Sequence, residues 1–295
     1  MRDNKRELQA DIALVCDSDM FDDHTPAITT RLRGIVHEEI VITGPSIDLH
    51  SGAYGGPAVN PIKVLARIIA EFHDDHGRVA VPSFYDDVCD VSGAVRQEWS
   101  DLRFDDAEFL EMVGLKQSAG EAGYSVLEQL WARPTLEING IVGGYTAIGT
   151  KTVIPSQASA KISCRLVADQ DPDRIRAILR DFIRQRLPAG VSVAFGEAGT
   201  ASPAVHIREN HPSLTAAHRA LKAEWQREPV FIGSGFSIPI VSSFQSVLGM
   251  DSLMIGFALN DDAAHSPNEK YNLTSLHKGI RSWIRVRDAL APGQR

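Results

Sequence analysis

The feature of this chain that most constrains its fold is a strand pattern at 155–167, in which residues 158–166 show a strict two-residue alternation. Apolar residues occupy every second position, and polar or charged residues lie between them. The apolar set is Ala158, Ala160, Ile162, Cys164 and Leu166. Because successive side chains of a β-strand point to opposite faces, the pattern predicts a strand with one buried and one polar face. Arg165 then points away from the apolar face.

Further strand and helix patterns lie on both sides of this strand. The predicted elements, in order, are a strand at 34–44, a helix at 61–72, a helix at 172–187 and a strand at 191–195. Asn60 and Pro61 are typical of a capped helix start. Between about 30 and 200 the order is strand, helix, insert, strand, helix, strand. That order is typical of a ferredoxin-like α+β sandwich with a long insertion.

The flanking segments predict a second layer of structure. They contain a short apolar run at 11–16, a helix from 211 to 225, an apolar strand at 252–259 and an amphipathic helix at 274–290. We expect the first run to be a strand buried on both faces. In the last helix we expect the large apolar side chains to face inward, namely Leu276, Ile280, Trp283 and Ile284. The sequence therefore predicts an α/β domain formed by 1–29 and 206–295, interrupted by a domain at 30–205.

The composition is that of an ordinary globular protein, with 295 residues, 43% of them hydrophobic, and a formal net charge of −8. An acidic chain without a basic stripe is not expected to bind nucleic acid or an anionic membrane. Three widely spaced cysteines favour a reducing compartment over a disulfide framework. With no signal peptide or long apolar run in view, we expect a cytoplasmic protein.

A glycine-rich loop at 47–57 places His50 between the carboxylate of Asp48 and the hydroxyl of Ser51. Glycine lets a backbone approach a ligand, and imidazole donates a hydrogen bond or a proton near neutral pH. We therefore interpret the loop as part of a ligand site. The alternative is a tight turn in which His50 only caps a neighbouring group.

A second candidate site follows the predicted strand at 252–259, where residues 260–269 place His265 among several carboxylates. Open α/β sheets bind their ligands at the carboxyl ends of strands. Imidazole and carboxylate together are ligands of zinc or a similar divalent ion. A solvated acidic loop with a capping histidine fits the pattern equally well. Asp17 and Asp19, after the first strand, leave the same choice between metal ligation and turn capping.

Two further positions suit the recognition of an anion. Arg165 offers a bidentate fork for a substrate carboxylate, although its position alone favours a structural pair with a neighbouring acid. The loop at 233–239, which contains Ser237, offers hydroxyls and backbone N–H groups that suit a carboxylate. It lacks the Gly-x-Ser-x-Gly frame of a nucleophile elbow.

These motifs follow one another in a specific order. The order is Val15-Cys16-Asp17, Leu32-Arg33-Gly34, Asp48-Leu49-His50-Ser51-Gly52, Lys151-Thr152-Val153-Ile154-Pro155, Arg165-Leu166-Val167, Ser237-Ile238-Pro239 and Ala264-His265-Ser266-Pro267-Asn268-Glu269. The series resembles the cytosolic non-specific dipeptidase and carnosinase branch of the zinc aminoacylase, deacetylase and carboxypeptidase superfamily, over nearly the whole chain. The resemblance implies an α/β catalytic domain with an inserted α+β ferredoxin-like lid, or dimerisation, domain.

The resemblance also implies roles for individual residues. Asp17 would bind one metal ion and His265 the other, with two Zn²⁺ in each active site and Mn²⁺ as an alternative. His50 would reach from the lid into the partner subunit's active site and stabilise the oxyanion of the tetrahedral intermediate. The residues that would hold the substrate's carbonyl and terminal carboxylate are Thr152, Arg165 and Ser237.

The chain departs from this family at its start. Family members place a His-x-Asp motif, a metal-bridging aspartate and a Glu-Glu pair upstream of the strand that ends at Asp17, and here only sixteen residues precede it. Two ligands are too few for a dinuclear cluster, and no general base remains. We therefore expect an incomplete catalytic domain that is inactive alone. It would be a truncated enzyme, half of a split enzyme completed by a separate amino-terminal fragment, or a module that only dimerises.

The expected function is hydrolysis of an amide bond in a small peptide with a free carboxylate, by a homodimer that pairs through the lid. The alternative enzyme is a deacylase of N-acyl amino acids in the same superfamily. Outside enzymes, the alternative is a non-catalytic dimerisation module. In an intact enzyme, metal-bridged hydroxide would attack the amide while Arg165 and Ser237 fix the carboxylate.

Overall fold

A computed structural model describes residues 1–197, 199, 201–208, 211–259, 261–264 and 266–291. The chain forms two compact units. One comprises Met1–Leu32 and Val205–Arg295, and the other is the continuous segment Arg33–Ala204. We call them the discontinuous unit and the inserted unit.

Both units contain strands and helices. The strands are β1 (Ala13–Val15), β2 (Ala27–Leu32), β3 (Gly34–Thr43), β4 (Leu49–His50), β5 (Thr135–Gly143), β6 (Val153–Ile154), β7 (Gln157–Leu166), β8 (Ser192–Phe195), β9 (Ala201–Ser202), β10 (Val205–His206), β11 (Val230–Ser234) and β12 (Ser252–Met254). The helices are α1 (Lys5–Leu8), α2 (Ser51–Tyr54), α3 (Pro61–Ala70), α4 (Gly93–Asp101), α5 (Asp106–Glu111), α6 (Val126–Trp131), α7 (Pro172–Arg184), α8 (Pro212–Trp225), α9 (Pro239–Ser243) and α10 (Leu273–Leu290).

The inserted unit is built on an antiparallel sheet in the order β5-β7-β3-β8, with β9 paired to β3. The β3–β7 ladder runs without a break from Gly34 opposite Leu166 to Thr43 opposite Gln157. The apolar face predicted for residues 155–167 is buried, and it shares one core with α3 and α7. This alternation therefore fixes which face of the sheet the two helices cover.

Local hydrogen bonds explain where the two covering helices begin and end. The Asn60 side chain accepts from the Ile62 N–H at 2.9 Å, and Pro61 occupies the first turn of α3. The α3 helix ends at Ala70, earlier than predicted, because His73 and Val79 form an antiparallel bridge that turns the chain.

Two strands of this sheet, β5 and β9, are not among the predicted ones. β5 pairs with β7, but its register shifts between Ile138 and Gly140, so its apolar residues do not alternate regularly. The insert before it was predicted to hold helices near 107–115 and 120–131. Its helices are α4, α5 and α6, of which α4 is additional and the other two are shorter than predicted.

The discontinuous unit contains a mixed sheet in the order β1-β12-β2-β10, with β11 also paired to β2. β1 runs parallel to β12 and β11 parallel to β2, whereas β12 and β10 run antiparallel to β2. Ile28 of β2, Leu253 of β12, Leu221 of α8 and Val286 of α10 belong to one buried cluster. The unit is therefore a mixed α/β layer, in agreement with the predicted fold class.

Two burial predictions for this unit are wrong. The strand at 11–16 was expected to be buried on both faces, yet Leu14 is 41% exposed. The buried residues of α10 are the small ones, Ser275, Gly279 and Ser282, together with Val286. A Cβ at Gly279 would lie 2.7 Å from the Phe257 ring, so close packing selects small residues on that face. Three side chains predicted to face inward, Leu276, Ile280 and Ile284, are instead exposed.

The three cysteines are free thiols in this structure, Cys16 and Cys89 exposed and Cys164 buried. Burial raises the pKa of the Cys164 thiol to about 12. Within the described part of the chain, no helix has the length and apolar character needed to cross a membrane.

Gly256 provides a test of the packing in the discontinuous unit. A Cβ at this position would lie 1.5 Å from the backbone carbonyl oxygen of Ser18. Neither atom can move away by a change of side-chain rotamer. We expect Gly256→Ala to lower the free energy of unfolding by about 2 kcal/mol or more, measured by urea denaturation. Gly93→Ala is the control, because nothing lies within 4 Å of its Cβ and alanine favours the helix it begins. Equal unfolding free energies for the two variants would contradict the packing.

Candidate functional site

His50 lies on a two-stranded ribbon in the inserted unit. β4 pairs antiparallel with β6, which places His50 opposite Val153. The Ser51 N–H donates to the Thr152 carbonyl oxygen at 3.0 Å, and the His50 Nε2 lies 3.4 Å from the Thr152 Oγ1. Both side chains are exposed. The structure therefore brings together two residues that the sequence placed far apart, His50 and Thr152.

A backbone hydrogen bond determines the protonation pattern of the His50 ring. The Gly52 N–H donates to the His50 Nδ1 at 2.9 Å, and a backbone amide cannot accept. In the neutral ring the hydrogen is therefore on Nε2. The capping contact of the tight-turn alternative is present at Nδ1, and it leaves the Nε2–H as a donor. A Cβ at Gly52 would lie 2.8 Å from the His50 Cε1, so glycine keeps the ring in this position.

Asp48 ties the ribbon to the end of the large sheet. Its Oδ1 accepts from the Ser156 N–H at 2.8 Å and from the Ser156 Oγ at 3.0 Å. These two hydrogen bonds lower the pKa of Asp48. The Gly44 N–H donates to the Ser156 carbonyl oxygen at 3.0 Å, which links β3 to the same residue. The ribbon is thereby held where β3 ends and β7 begins.

Arg165 lies near the other end of β7, opposite Ile35 on one neighbouring strand and Thr135 on the other. Burial lowers the pKa of its guanidinium. Burial also lowers the pKa of Arg33 to about 10, and the positive charge of Arg165 adds to this effect while Glu137 opposes it. The positive charge of Arg165 thus reaches Arg33, and neighbouring cations favour the approach of an anion.

Arg33 was not singled out from the sequence, although it precedes the first residue of β3. Because β3 and β7 are antiparallel, the start of one strand lies beside the end of the other. Pairing the two predicted strands in that way would have placed Arg33 near Arg165.

Carboxylates gather at one end of the sheet in the discontinuous unit. Asp17 is exposed after β1, and Asp19 forms a parallel bridge with Ala258. Burial, followed by the negative charges of Asp17 and Asp262, raises the pKa of Asp19. Asp262 is buried, and its Oδ2 accepts from the Leu259 N–H at 2.8 Å. Asp262 was not anticipated as a neighbour of Asp19.

The predicted metal ligand His265 lies outside the described residues. In the ranges that are described, no group of three or more His, Cys, Asp or Glu side chains is arranged to hold a metal ion. The described carboxylates therefore do not complete a metal centre by themselves.

Ser237 is half-buried in the loop between β11 and α9. In the same loop the Phe236 N–H donates to the Ser234 Oγ at 3.2 Å. The helix that follows, α9, has only five residues. The structure thus places Ser237 in the same unit as Asp17.

Comparisons with known proteins agree on the kind of protein that this chain resembles. The family profile described as "Peptidase dimerisation domain" matches residues 30–191. The Cys-Gly metallodipeptidase of Candida albicans is 30% identical over 262 residues, which cover 87% of this chain and 53% of that enzyme. The Beta-Ala-His dipeptidase of Homo sapiens is 27% identical over 275 residues, which cover 92% and 54%. The chain thus spans about half the length of these relatives.

Solved structures of peptidases also resemble this chain, and the matches extend over both units. The di-peptidase of Saccharomyces cerevisiae superposes with a TM-score of 0.82 at 27% identity, over 96% of this chain and 60% of that one. A metallo-carboxypeptidase from Sulfolobus solfataricus superposes with a TM-score of 0.83 at 27% identity, over 97% and 64%.

The Asp48 anchor predicts a local, pH-dependent effect. We expect Asp48→Ala to accelerate amide hydrogen exchange at Ser156, because it removes both hydrogen bonds from Ser156. Since the pKa of Asp48 is lowered, its contribution is complete above the usual value of 3.8 and is lost as the pH falls through the lowered pKa.

Asp74→Ala is the matched control for this measurement. Asp74 accepts comparable backbone hydrogen bonds from His76 and Arg78, so its loss leaves Ser156 protected. Unchanged exchange at Ser156 in Asp48→Ala would show that Asp48 does not hold the ribbon.

Proposed function

Because the chain belongs to the metallopeptidase family that carries the peptidase dimerisation domain, in the branch of the Cys-Gly dipeptidases and carnosinases, we propose that it serves metal-dependent hydrolysis of dipeptides. The observation that carries the proposal is the exposed His50 side chain, whose Nε2–H donor lies beside the Thr152 hydroxyl. The substrate is a small peptide with a free carboxylate. The lid, or dimerisation, domain is the inserted unit, and the discontinuous unit is part of the catalytic domain.

His50 stabilises the oxyanion of the tetrahedral intermediate. Attack on an amide carbonyl places negative charge on its oxygen, and a donor fixed before the reaction stabilises that charge without reorganising. The Gly52 N–H fixes the ring, and the Asp48–Ser156 contacts fix the ribbon. The Thr152 hydroxyl lies beside the same donor and contacts the substrate's carbonyl oxygen.

Arg165 binds the terminal carboxylate of the substrate, together with Ser237. Its guanidinium matches a carboxylate through two parallel hydrogen bonds. The neighbouring charge of Arg33 strengthens attraction to an anion at this position. A free carboxylate is common to dipeptides and N-acyl amino acids. Arg165 and Ser237 therefore select substrates with a free carboxylate and do not distinguish these two kinds.

Two subunits are needed to bring His50 and Arg165 to one substrate. Eight residues of extended β7 separate Arg165 from Gln157, which is about 26 Å, and the ribbon lies beyond Gln157. An extended dipeptide spans only about 7 Å. His50 therefore acts in the active site of the partner subunit.

The edge strand β5 is a suitable surface for pairing two lids. Ile141 and Val142 at its end are 60% and 67% exposed. β5 stands at the end of the strand order in the described sheet, where it pairs with β7. Exposed apolar edge strands are surfaces that pair with another chain. The homodimer forms through this edge.

The metal ions are Zn²⁺, with Asp17 and His265 each binding one. The described carboxylates do not fit a complete dinuclear centre, so the other ligands and the general base come from polypeptide beyond the described residues. The chain alone is accordingly inactive. We define the companion as the part of the Saccharomyces cerevisiae di-peptidase that lies outside the match to this chain.

Substrate selection tests the proposed function. The assay measures hydrolysis of Cys-Gly and of its carboxyl-terminal amide with Zn²⁺ or Mn²⁺, by the chain alone and with the companion. We expect hydrolysis only with the companion, and a preference for the free carboxylate of roughly tenfold or more in kcat/KM, as for a charge-assisted hydrogen bond.

Arg165→Met should abolish that preference. Arg174→Met is its control, because Arg174 is an exposed arginine of the same unit that pairs with Asp86 and Asp87. Equal hydrolysis of the acid and the amide would contradict the role of Arg165. Failure to cleave any dipeptide in the complete mixture would contradict the function itself.

The oxyanion role predicts the kinetics of His50→Ala. Measured with the companion present, kcat should fall by roughly 10²-fold or more with little change in KM, because the lost donor acts in the transition state. His37→Ala, another exposed histidine of the inserted unit, should retain kcat.

Mixing subunits tests whether His50 acts across the dimer. With the companion present, a mixture of His50→Ala and Asp17→Ala chains should regain part of the activity, since one site of each mixed dimer keeps both residues. No recovery in verified mixed dimers would place His50 and Asp17 in the same subunit's site.

A further inference from the structure

A cavity of about 550 Å³ lies at the start of β5 in the inserted unit, and we call it the β5 cavity. Its volume is within the range of sites that bind small molecules. The residues that line it include Asp75, Gly77, Gln129, Arg133, Thr135 and Glu137. The β5 cavity is therefore large enough to take a long amino-acid side chain.

The β5 cavity adjoins the two arginines at the end of β7. Thr135 lies directly opposite Arg165 in the ladder. Directly opposite residues of an antiparallel pair share one face of the sheet, with their Cβ atoms about 5 Å apart. The Arg33 Nη1 lies 3.5 Å from the Gln129 carbonyl oxygen, and the negative charge of Glu137 raises the pKa of Arg33. A ligand whose carboxylate binds Arg165 thus has its neighbouring atoms beside the cavity.

A network of ion pairs forms one wall of the cavity. The Arg133 Nε and Nη2 donate to the two carboxylate oxygens of Glu121 at 2.8 and 2.9 Å, and both side chains are more than nine-tenths buried. Arg78 donates to the same carboxylate at 2.7 Å, and the Arg133 Nη1 donates to Asp90 at 2.8 Å. Two guanidinium groups and two carboxylates balance each other in this network. The wall therefore contributes a fixed shape and no net charge.

The remaining titratable groups of the β5 cavity are three carboxylates and one imidazole, those of Asp74, Asp75, Glu137 and His73. Backbone N–H groups donate to Asp74 and lower the pKa of its carboxyl, so Asp74 is ionised at neutral pH. Asp75 and Glu137 are exposed at the mouth of the cavity. Since the ion-pair network is neutral, these carboxylates make the cavity favourable for a cation.

Positive groups beside a negative cavity match a residue that carries both charges. The carboxylate of such a residue binds the arginines, and its side chain carries a cation into the cavity. We propose that the β5 cavity binds the side chain of the substrate's carboxyl-terminal residue and selects lysine or arginine there. The inference rests on the proposed binding of the substrate carboxylate by Arg165. Asp75 and Glu137 are the residues that determine this specificity.

Binding of amino-acid derivatives to the chain alone tests the inference without catalysis. The probes are Nα-acetyl-lysine and Nα-acetyl-norleucine, which share the carboxylate and the four-carbon side chain and differ in the terminal ammonium. Titrations followed in ¹H–¹⁵N spectra of the ¹⁵N-labelled chain give each Kd and identify the amides that shift. We expect the lysine probe to bind roughly fivefold more tightly, because its ammonium pairs with partly exposed carboxylates. It should also shift the amides of Gly77 and Glu137.

The double variant Asp75→Asn with Glu137→Gln should make the two affinities equal. The matched control is Glu39→Gln with Asp181→Asn, which removes two exposed acids of the inserted unit outside the cavity and should keep the lysine preference. All four side chains are exposed, so both variants should keep the melting temperature of the unmodified chain. Equal affinities in the unmodified chain, or a lysine preference that survives in the cavity variant, would overturn the inference.

Hydrolysis separates this inference from the proposed function. With the companion present, kcat/KM should be higher for Cys-Lys than for Cys-norleucine, and the difference should shrink as salt is added. Cleavage of Cys-Gly with equal kcat/KM for the other two dipeptides would overturn the inference and leave the proposed function standing. Selective binding of the lysine probe, in a complete mixture that cleaves no dipeptide, would support the cavity's selectivity and contradict the proposed function.

Discussion

The structure of the inserted unit depends on the uninterrupted antiparallel ladder between β3 and β7. Ten successive residue pairs fix one register, from Gly34 and Leu166 to Thr43 and Gln157. A shift of one residue would exchange the buried and exposed faces of the strand, so the core under α3 and α7 holds the register. The same ladder places the two arginines at one end and the His50 ribbon at the other. The proposed sharing of one substrate between two subunits follows from that separation.

The ribbon shows how a turn and a candidate catalytic group are combined in one side chain. The capping contact and the chemistry are alternatives in the sequence, because each explains a histidine in a glycine-rich loop. In the structure the two ring nitrogens divide these tasks. Nδ1 accepts from the Gly52 N–H, and Nε2 is left beside the Thr152 hydroxyl. The cap therefore sets the tautomer that the proposed chemistry requires.

Much of the fold was predictable where one side-chain period dominates. The strand at 157–166 and the helices that begin at Pro61, Pro172 and Pro212 agree with their patterns. β5 was missed because its register shift breaks the alternation, and β2 and β11 were not identified. The α10 prediction is wrong for Leu276, Ile280 and Ile284, because large apolar residues were assumed to be buried, whereas Trp283 packs against the core as predicted. Close helix packing instead selected Ser275, Gly279 and Ser282.

The candidate site was only partly predictable for a different reason. His50 and Arg165 were identified by residue type and local pattern. The contact of His50 with Thr152 and the charge effect of Arg165 on Arg33 depend on strand pairing that a single sequence does not specify. The role of His50 depends on which ring nitrogen carries the hydrogen. Long-range ¹H–¹⁵N spectra of the ¹⁵N-labelled chain, recorded where the ring is neutral, measure this directly. We expect His50 to be protonated at Nε2 and unprotonated at Nδ1. A ring protonated at Nδ1 would contradict the Nε2–H donor on which the proposed function rests.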